Sequence, residues 1–267
     1  MTDTRPIGVF DSGVGGLSVL REIRARLPHE ELLYVADSGY APYGNRSAAE
    51  IIARSQYISE FLLAQGAKAL VIACNTATAA AAADLRARWP ALPIIGMEPA
   101  VKPATLATRS GVVGVLATSG TLASARFAAL LDTFGQGVEV VTQACVGLVE
   151  HIERGELAAP ATRALLARYL QPLLDAGADV IVLGCTHYVF LRDEVQALAG
   201  PSVRLIDTGA AVAAELARKL AQHGALHTDA RAAGVRFWLS GEPALSASTL
   251  RQLWPAATSA EIAVLPD

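Results

Sequence analysis

LLAQGAKALVIACNT (residues 62–76) and LLDAGADVIVLGCTH (residues 173–187) superpose without a gap. In each, a glycine stands eight residues before a cysteine: Gly66 before Cys74, Gly177 before Cys185. An alanine follows each glycine, and four apolar residues fill 69–72 and 180–183. Nearly the same offset relates other runs. GVFDSG (8–13) matches GVLATSG (114–120) with one residue of slack, and PIIGME (93–98) corresponds to VRLIDT (203–208). Self-similarity over such lengths is the mark of a duplicated structural unit.

The runs themselves are short, rich in branched apolar residues and end in Gly or polar residues. Besides those above they include ELLYVADS, VEVVTQAC and RFWLSG. They are continuously apolar rather than alternating, as strands buried on both faces are. Between most of them lie stretches with helical spacing, at 17–27, 47–65, 77–89, 122–134, 161–176 and 210–222. Alternating strands and helices predict an α/β fold. With the duplication, they predict two pseudo-symmetric doubly wound lobes with mainly parallel sheets and the site in the cleft between them. GMEPAVKPA, with Pro99 and Pro103, marks a boundary near 96–100, and the chain returns near 207–209. The expected lobes are 1–97 plus 208–267, and 98–207, with the tail packing back on the first.

The bulk numbers narrow the function classes. The 267 residues are 52% hydrophobic and 18% charged, with a net charge of −3, which excludes a disordered or fibrous chain. No basic stripe suggests nucleic acid or an anionic membrane as partner. No apolar run approaches the roughly 18 residues that span a bilayer. The opening MTDTRPIGVFDSGVGG has no charged-then-apolar signal pattern, so the expected location is cytoplasmic. Three cysteines, Cys74, Cys145 and Cys185, do not make a disulfide framework. With no CxxC or HxxxH and five scattered histidines, no metal site is expected.

A lone apolar-flanked cysteine reads as core filling. That reading does not explain cysteines at the same position in both lobes. In open parallel sheets ligands bind beyond the carboxyl ends of the strands, where Cys74 and Cys185 both fall. Each is followed by a hydroxyl residue opening a helix, Thr76 after Asn75, and Thr186. The helix ends are expected to favour thiolate and to bind a carboxylate. Two facing thiols suit the inversion of a stereocentre, with a base on one face and an acid on the other. His187 is the nearest partner for Cys185, although a lone histidine is more often a surface or capping group. Asp11 is the candidate beside Cys74, and equally a helix N-cap ahead of GVGGLSVLREI.

DSGVGGLS invites a dinucleotide reading, the more so with Asp37 ending the second strand. The fingerprint fails, however, because Ser18 occupies its third glycine position and Asp11 would face a pyrophosphate. The glycines fit better as a tight turn that a ligand approaches closely. GYAPYGN (39–45) is either a plain surface loop or a turn offering the Tyr43 and Gly44 N–H groups.

Together, GVFDSGVGGLSV, YVADSGYAPYG, ACNTATA, GMEPAVKPA, LATSGT and LGCTHY resemble the glutamate racemases, in order and across nearly the whole chain. The resemblance implies a cofactor-independent isomerase interconverting L- and D-glutamate for peptidoglycan synthesis. It implies that Cys74 handles the proton of the D-enantiomer and Cys185 that of the L-enantiomer. Asp11 would assist Cys74, His187 would assist Cys185, and Glu153 matches a family glutamate near the second thiol. Asp11, Ser12, Tyr43, Gly44, Asn75, Thr76, Thr118, Thr121, Thr186 and His187 would hold the substrate. A homodimer is the assembly the family suggests. Val146, Glu150 and Val189 stand where the family commonly has proline, and Cys145 reads as structural. Two other readings remain: a racemase of aspartate or hydantoin, and a two-lobed amino-acid-binding module without chemistry. The module has no need of mirrored cysteines.

Overall fold

The computed structural model describes residues 3–227, 229, 233–258 and 261–266. The remaining positions of the expected first lobe, among them Met1, Thr2 and Asp267, lie outside the described residues. The first lobe begins with β1 (Ile7–Asp11), α1 (Leu17–Arg26), β2 (Leu32–Ala36), α2 (Ala48–Ala64), β3 (Ala69–Ile72), α3 (Asn75–Arg88) and β4 (Ile94–Ile95). The second follows with α4 (Val101–Ala107), β5 (Val112–Ala117), α5 (Ser119–Leu122), α6 (Ala125–Phe134) and β6 (Glu139–Ala144). It continues through α7 (Leu148–Glu153), α8 (Pro160–Asp175), β7 (Val180–Leu183), α9 (Arg192–Ala199) and β8 (Arg204–Ile206). The chain then returns through α10 (Gly209–Gln222), β9 (Val235–Leu239), α11 (Pro243–Leu253) and β10 (Ile262–Val264).

Every strand pairing is parallel. The first sheet has the order β10-β9-β2-β1-β3-β4 and the second β6-β5-β7-β8. Removing the two late strands leaves β2-β1-β3-β4, which matches the second sheet strand for strand. β3 and β7, which carry the duplicated stretches, therefore hold equivalent places beside the central strands β1 and β5.

The same physics packs both sheets. Ile7, Val9 and Val71 point to one face with α1 and α10, while Phe10, Leu70 and Ile72 point to the other with α2 and α3. In the second sheet Val113, Val115 and Val182 face away from Leu116, Ile181 and Leu183. Successive strand side chains alternate between faces, so a sheet covered on both sides needs an unbroken apolar run. Each central strand carries one glycine. A Cβ on Gly8 would stand 2.9 Å from Leu70 Cδ2 and 3.1 Å from Leu62 Cβ; on Gly114 it would stand 2.9 Å from Leu173 Cδ1 and 3.1 Å from its Cβ. Leu62 and Leu173 open the duplicated stretches, so both lobes seat a helix against the sheet by the same device. α2 starts where Ser47 and Glu50 cap each other reciprocally, Glu50 N to Ser47 Oγ at 3.3 Å and Ser47 N to Glu50 Oε2 at 2.9 Å.

The strand expected at RFWLSG is β9, which pairs with β2 in the first sheet. α4, α7, α11 and β10 lie in stretches for which no element was expected. No helix of the described residues is long and apolar enough to cross a membrane.

Candidate active site

Cys74 follows β3 with φ −141° and ψ 122°, and Cys185 follows β7 with φ −139° and ψ 136°. Equivalent strands thus deliver the two thiols in nearly the same backbone conformation. Their surroundings then diverge. Cys74 Sγ accepts the Ala77 N–H at 3.4 Å, capping α3, and lies 3.8 Å from Ser12 Oγ. Cys185 opens a 3₁₀ turn, Thr186–Leu191, ahead of α9, and makes no such cap. The α-helix expected directly after it is replaced by this tighter turn, which brings His187 back beneath the thiol. Cys185 Sγ lies 3.8 Å from His187 Nδ1.

Both cysteines line one small cavity between the lobes. Ser12, Tyr43, Gly44, Asn75, Thr76, Thr118, Thr121, Thr186 and His187 line it as well. Asp11 and Glu153 do not. Asp11 was expected to touch a ligand, but it is fully buried behind the lining. Its carboxylate accepts the Ser12 N–H at 2.7 Å, the Gly16 N–H at 2.5 Å and the Thr186 hydroxyl at 3.2 Å. Asp11 is therefore not the helix N-cap, a position that Gly16 holds without a side-chain cap; it binds the glycine-turn backbone and interacts electrostatically with Cys74.

Behind Cys185 runs a chain of groups reaching the first lobe. His187 Nε2 lies 2.6 Å from Glu153 Oε1. Glu153, on α7, accepts the Val14 N–H at 2.7 Å and the Ser38 hydroxyl at 2.9 Å. His187 Nδ1 also lies 4.0 Å from Asp11 Oδ2. His187 is 1% exposed, so it is neither a surface nor a capping histidine.

Charge follows from these contacts. Burial opposes a charge on His187, but its hydrogen bonds to Cys185 and Glu153 and the charges of both carry it well above the usual imidazole range. Burial pushes Asp11 up, against the pull of His187, Cys74 and the Ser12 N–H. Burial likewise pushes Cys74 well above the ordinary thiol range, helped by the Asp11 charge and only partly opposed by the Ala77 N–H. The helix end was expected to lower this thiol; a single N–H does not outweigh full desolvation. Burial also raises Cys145, which sits in the second-lobe core at the end of β6.

The polar lining bridges the lobes. Thr76 Oγ1 at the start of α3 meets Thr118 Oγ1 at 2.8 Å and Thr121 Oγ1 at 3.1 Å. Asn75 lines the cavity, and its Oδ1 is buried with no hydrogen-bond partner in the protein, an unsatisfied acceptor. Among the described residues no group of three or more His, Cys, Asp or Glu is arranged to hold a metal ion.

The glycine loop has a definite reason. A Cβ on Gly13 would stand 2.0 Å from Glu153 Oε1, and on Gly15 2.1 Å from His187 Nδ1. The loop is bare so that second-lobe side chains can lie on its backbone. Glu153 and His187 occupy the space that a pyrophosphate would need, and Asp37, the other half of the dinucleotide reading, is turned inward to Arg54 at 2.7 Å.

Comparison with known proteins agrees with this arrangement. The family model described as Asp/Glu/Hydantoin racemase matches residues 7–216. The chain belongs to that racemase family. Among its members, the glutamate racemase of Ectopseudomonas mendocina (strain ymp) is 66% identical over 237 residues, 89% of this chain and 90% of that one. The Escherichia coli glutamate racemase, solved with L-glutamate and the activator UDP-MurNAc-ala, superposes with a TM-score of 0.86 at 32% identity, covering 98% of each chain. The Francisella tularensis enzyme, solved with D-glutamate, gives 0.85 at 29% identity, covering 99% of this chain and 98% of that one.

Of the substrate-contacting residues expected from the sequence, all but Asp11 line the cavity. Pro42, Val149 and Gly184, which were not expected, line it as well, and the layer formed by Val14, Ser38, Asp37, Arg54 and Ser240 was not anticipated. Val149 stands in an apolar stretch of α7 that carries no motif. Asp37 was noticed, but its partners are 17 and 203 residues away.

Proposed function

We propose that this chain interconverts L- and D-glutamate by passing the α-proton between two thiols, without a cofactor. One observation carries the reading: cysteines at the ends of equivalent strands, one from each lobe, line a single cavity. A proton leaves Cα to one thiolate, and the carbanion takes a proton from the other thiol on the opposite face. Nothing is consumed, and the two sulfurs exchange protonation states. Cys185 takes the proton of L-glutamate and Cys74 that of D-glutamate. His187, with Glu153 behind it, holds the proton balance of Cys185, and Asp11 serves Cys74 from behind Ser12.

The unpartnered Asn75 Oδ1 receives the substrate ammonium. Ser12, Thr76, Thr118, Thr121, Thr186 and the Tyr43–Gly44 backbone donate to the two carboxylates. Donors already in place where charge develops stabilise the carbanion. In the empty cavity Cys74 is held as the thiol; an arriving ammonium brings an opposite charge that favours the thiolate. The lobes that close on the substrate are 1–97 with 208–267, and 98–207. The D-glutamate formed would serve peptidoglycan synthesis in the cytoplasm, and the assembly would be a homodimer. Light scattering tests the last point, where a mass near 27.8 kDa rather than twice that would refute it.

The central test is incubation with L-glutamate in D2O, without additives, following optical rotation and the α-proton resonance. Both signals should decay together. Bound glutamate with unchanged signals would make the protein a binding module. Cys74→Ser and Cys185→Ser should each slow racemisation by roughly a hundredfold or more, the usual scale for loss of a general acid–base group. A variant of either kind with near-parental turnover would refute the two-thiol mechanism.

A further inference from the structure

Asp37 ends β2 and is completely buried, yet it does not reach the cavity. Four donors converge on its carboxylate. Arg54 of α2 gives two of them, Nε to Oδ2 at 3.0 Å and Nη2 to Oδ1 at 2.7 Å. The Tyr43 hydroxyl donates to Oδ2 at 2.6 Å, and the Ser240 hydroxyl donates to Oδ1 at 2.7 Å. Ser240 in turn accepts the Gly39 N–H at 3.1 Å. One carboxylate thus ties together the end of β2, α2, the residue after β9 and both halves of the loop 38–46. A bidentate guanidinium fixes direction as well as distance, which a single hydrogen bond does not.

Arg54 is itself held. Its guanidinium carbon lies 4.0 Å from the Tyr40 ring centre and 4.9 Å from that of Tyr57. At the other end of the chain of contacts, Tyr43 is nearly fully buried and Gly44 packs so closely on the second lobe that a Cβ there would stand 2.9 Å from Thr118 Cβ. The loop has little slack in that direction, so its position depends on the anchor behind it.

We propose that Arg54, which does not line the cavity, is a positioning residue that sets the Tyr43–Gly44 backbone for glutamate by orienting Asp37. The inference rests on the reading that this backbone contacts the substrate. Arg54 does not take part in proton transfer; its effect falls on how well glutamate is seated, and so on KM before kcat.

The test is steady-state racemisation by Arg54→Met, Arg54→Lys, Tyr43→Phe and the double variant Arg54→Met/Tyr43→Phe, with thermal unfolding of each. Displacing a binding loop from behind is expected to raise the glutamate KM roughly tenfold in Arg54→Met, with a smaller fall in kcat. Arg54→Lys should recover part of the loss, since an ammonium supplies one of the two bonds to Asp37. Because Arg54 and Tyr43 act through the same carboxylate, the double variant should raise KM by less than the product of the single effects. Where Arg54→Met does not fold, Arg54→Lys takes its place in the cycle. A KM within twofold of the parent's, a loss confined to folded fraction or kcat, or KM effects that multiply would overturn the proposal. A parent protein without racemisation would overturn the functional reading and this one with it; a racemising parent with an unchanged KM in Arg54→Met overturns only the role of the arginine.

Discussion

At the scale of single residues, the thiols were legible and their protonation was not. Cys74 was identifiable because its neighbours repeat around Cys185. Whether the helix end or burial governs its proton depends on how completely the second lobe covers it, and no local pattern carries that. The outcome is testable. If burial and Asp11 hold the free enzyme's Cys74 as a thiol, its alkylation should accelerate roughly tenfold per pH unit from about pH 7 to 9, read by peptide mass spectrometry. A plateau below pH 8 would mean that the helix end dominates. His187 makes the complementary case. Its folded pKa is raised, so the stability it contributes is fully present below its unfolded value near 6.5 and is lost as pH rises through the folded one. The gap in melting temperature between the parent and His187→Gln should therefore narrow from about pH 6 to about pH 9; a constant gap would mean an uncharged imidazole. Asp11 shows a different limit. Read from sequence as a cap or as a partner of Cys74, it binds instead the backbone of the glycine turn and the Thr186 hydroxyl of the other lobe, contacts that no local pattern carries.

Among the elements, the nine apolar runs all became strands where they were expected, through a compositional trace that is strongest where both faces are buried, as in β1, β2, β3 and β7. β10, three residues partly exposed at the sheet edge, was not among them. α7 is six residues long and is positioned by what it meets, Glu153 on Val14 and Ser38, rather than by periodicity. The loop of residues 12–16 is the element whose purpose changed most. Its glycines resemble a phosphate cradle in sequence, and only the opposite lobe reveals that imidazole and carboxylate rest on them. Gly15→Ala should then displace His187 from Cys185, with turnover falling at least roughly tenfold while the fold persists. Near-parental turnover in that variant would show that the imidazole can retreat without consequence.

Across the whole molecule, the lobes meet through polar contacts, Glu153 with Val14 and Ser38, Ser18 Oγ with the Thr186 carbonyl at 3.1 Å, and Thr76 with Thr118 and Thr121, and through Leu157 and Phe190, which pack against the cores of both lobes. A ligand seated between the lobes adds contacts to both. At a hundred times its Kd, glutamate should add about 2.7 kcal/mol of stability, a rise of several degrees in melting temperature by calorimetry. No shift at that concentration would mean that glutamate does not bind the folded lobes in preference to the unfolded chain. The strand order also bears on how the protein is made. β2 gains its outer neighbour β9 only after the roughly 200 residues between Ala36 and Val235 have been added, whereas β5 to β8 form one uninterrupted stretch. On the ribosome the later-encoded sheet is therefore complete first, and the earlier one waits with β2 as an unpaired edge.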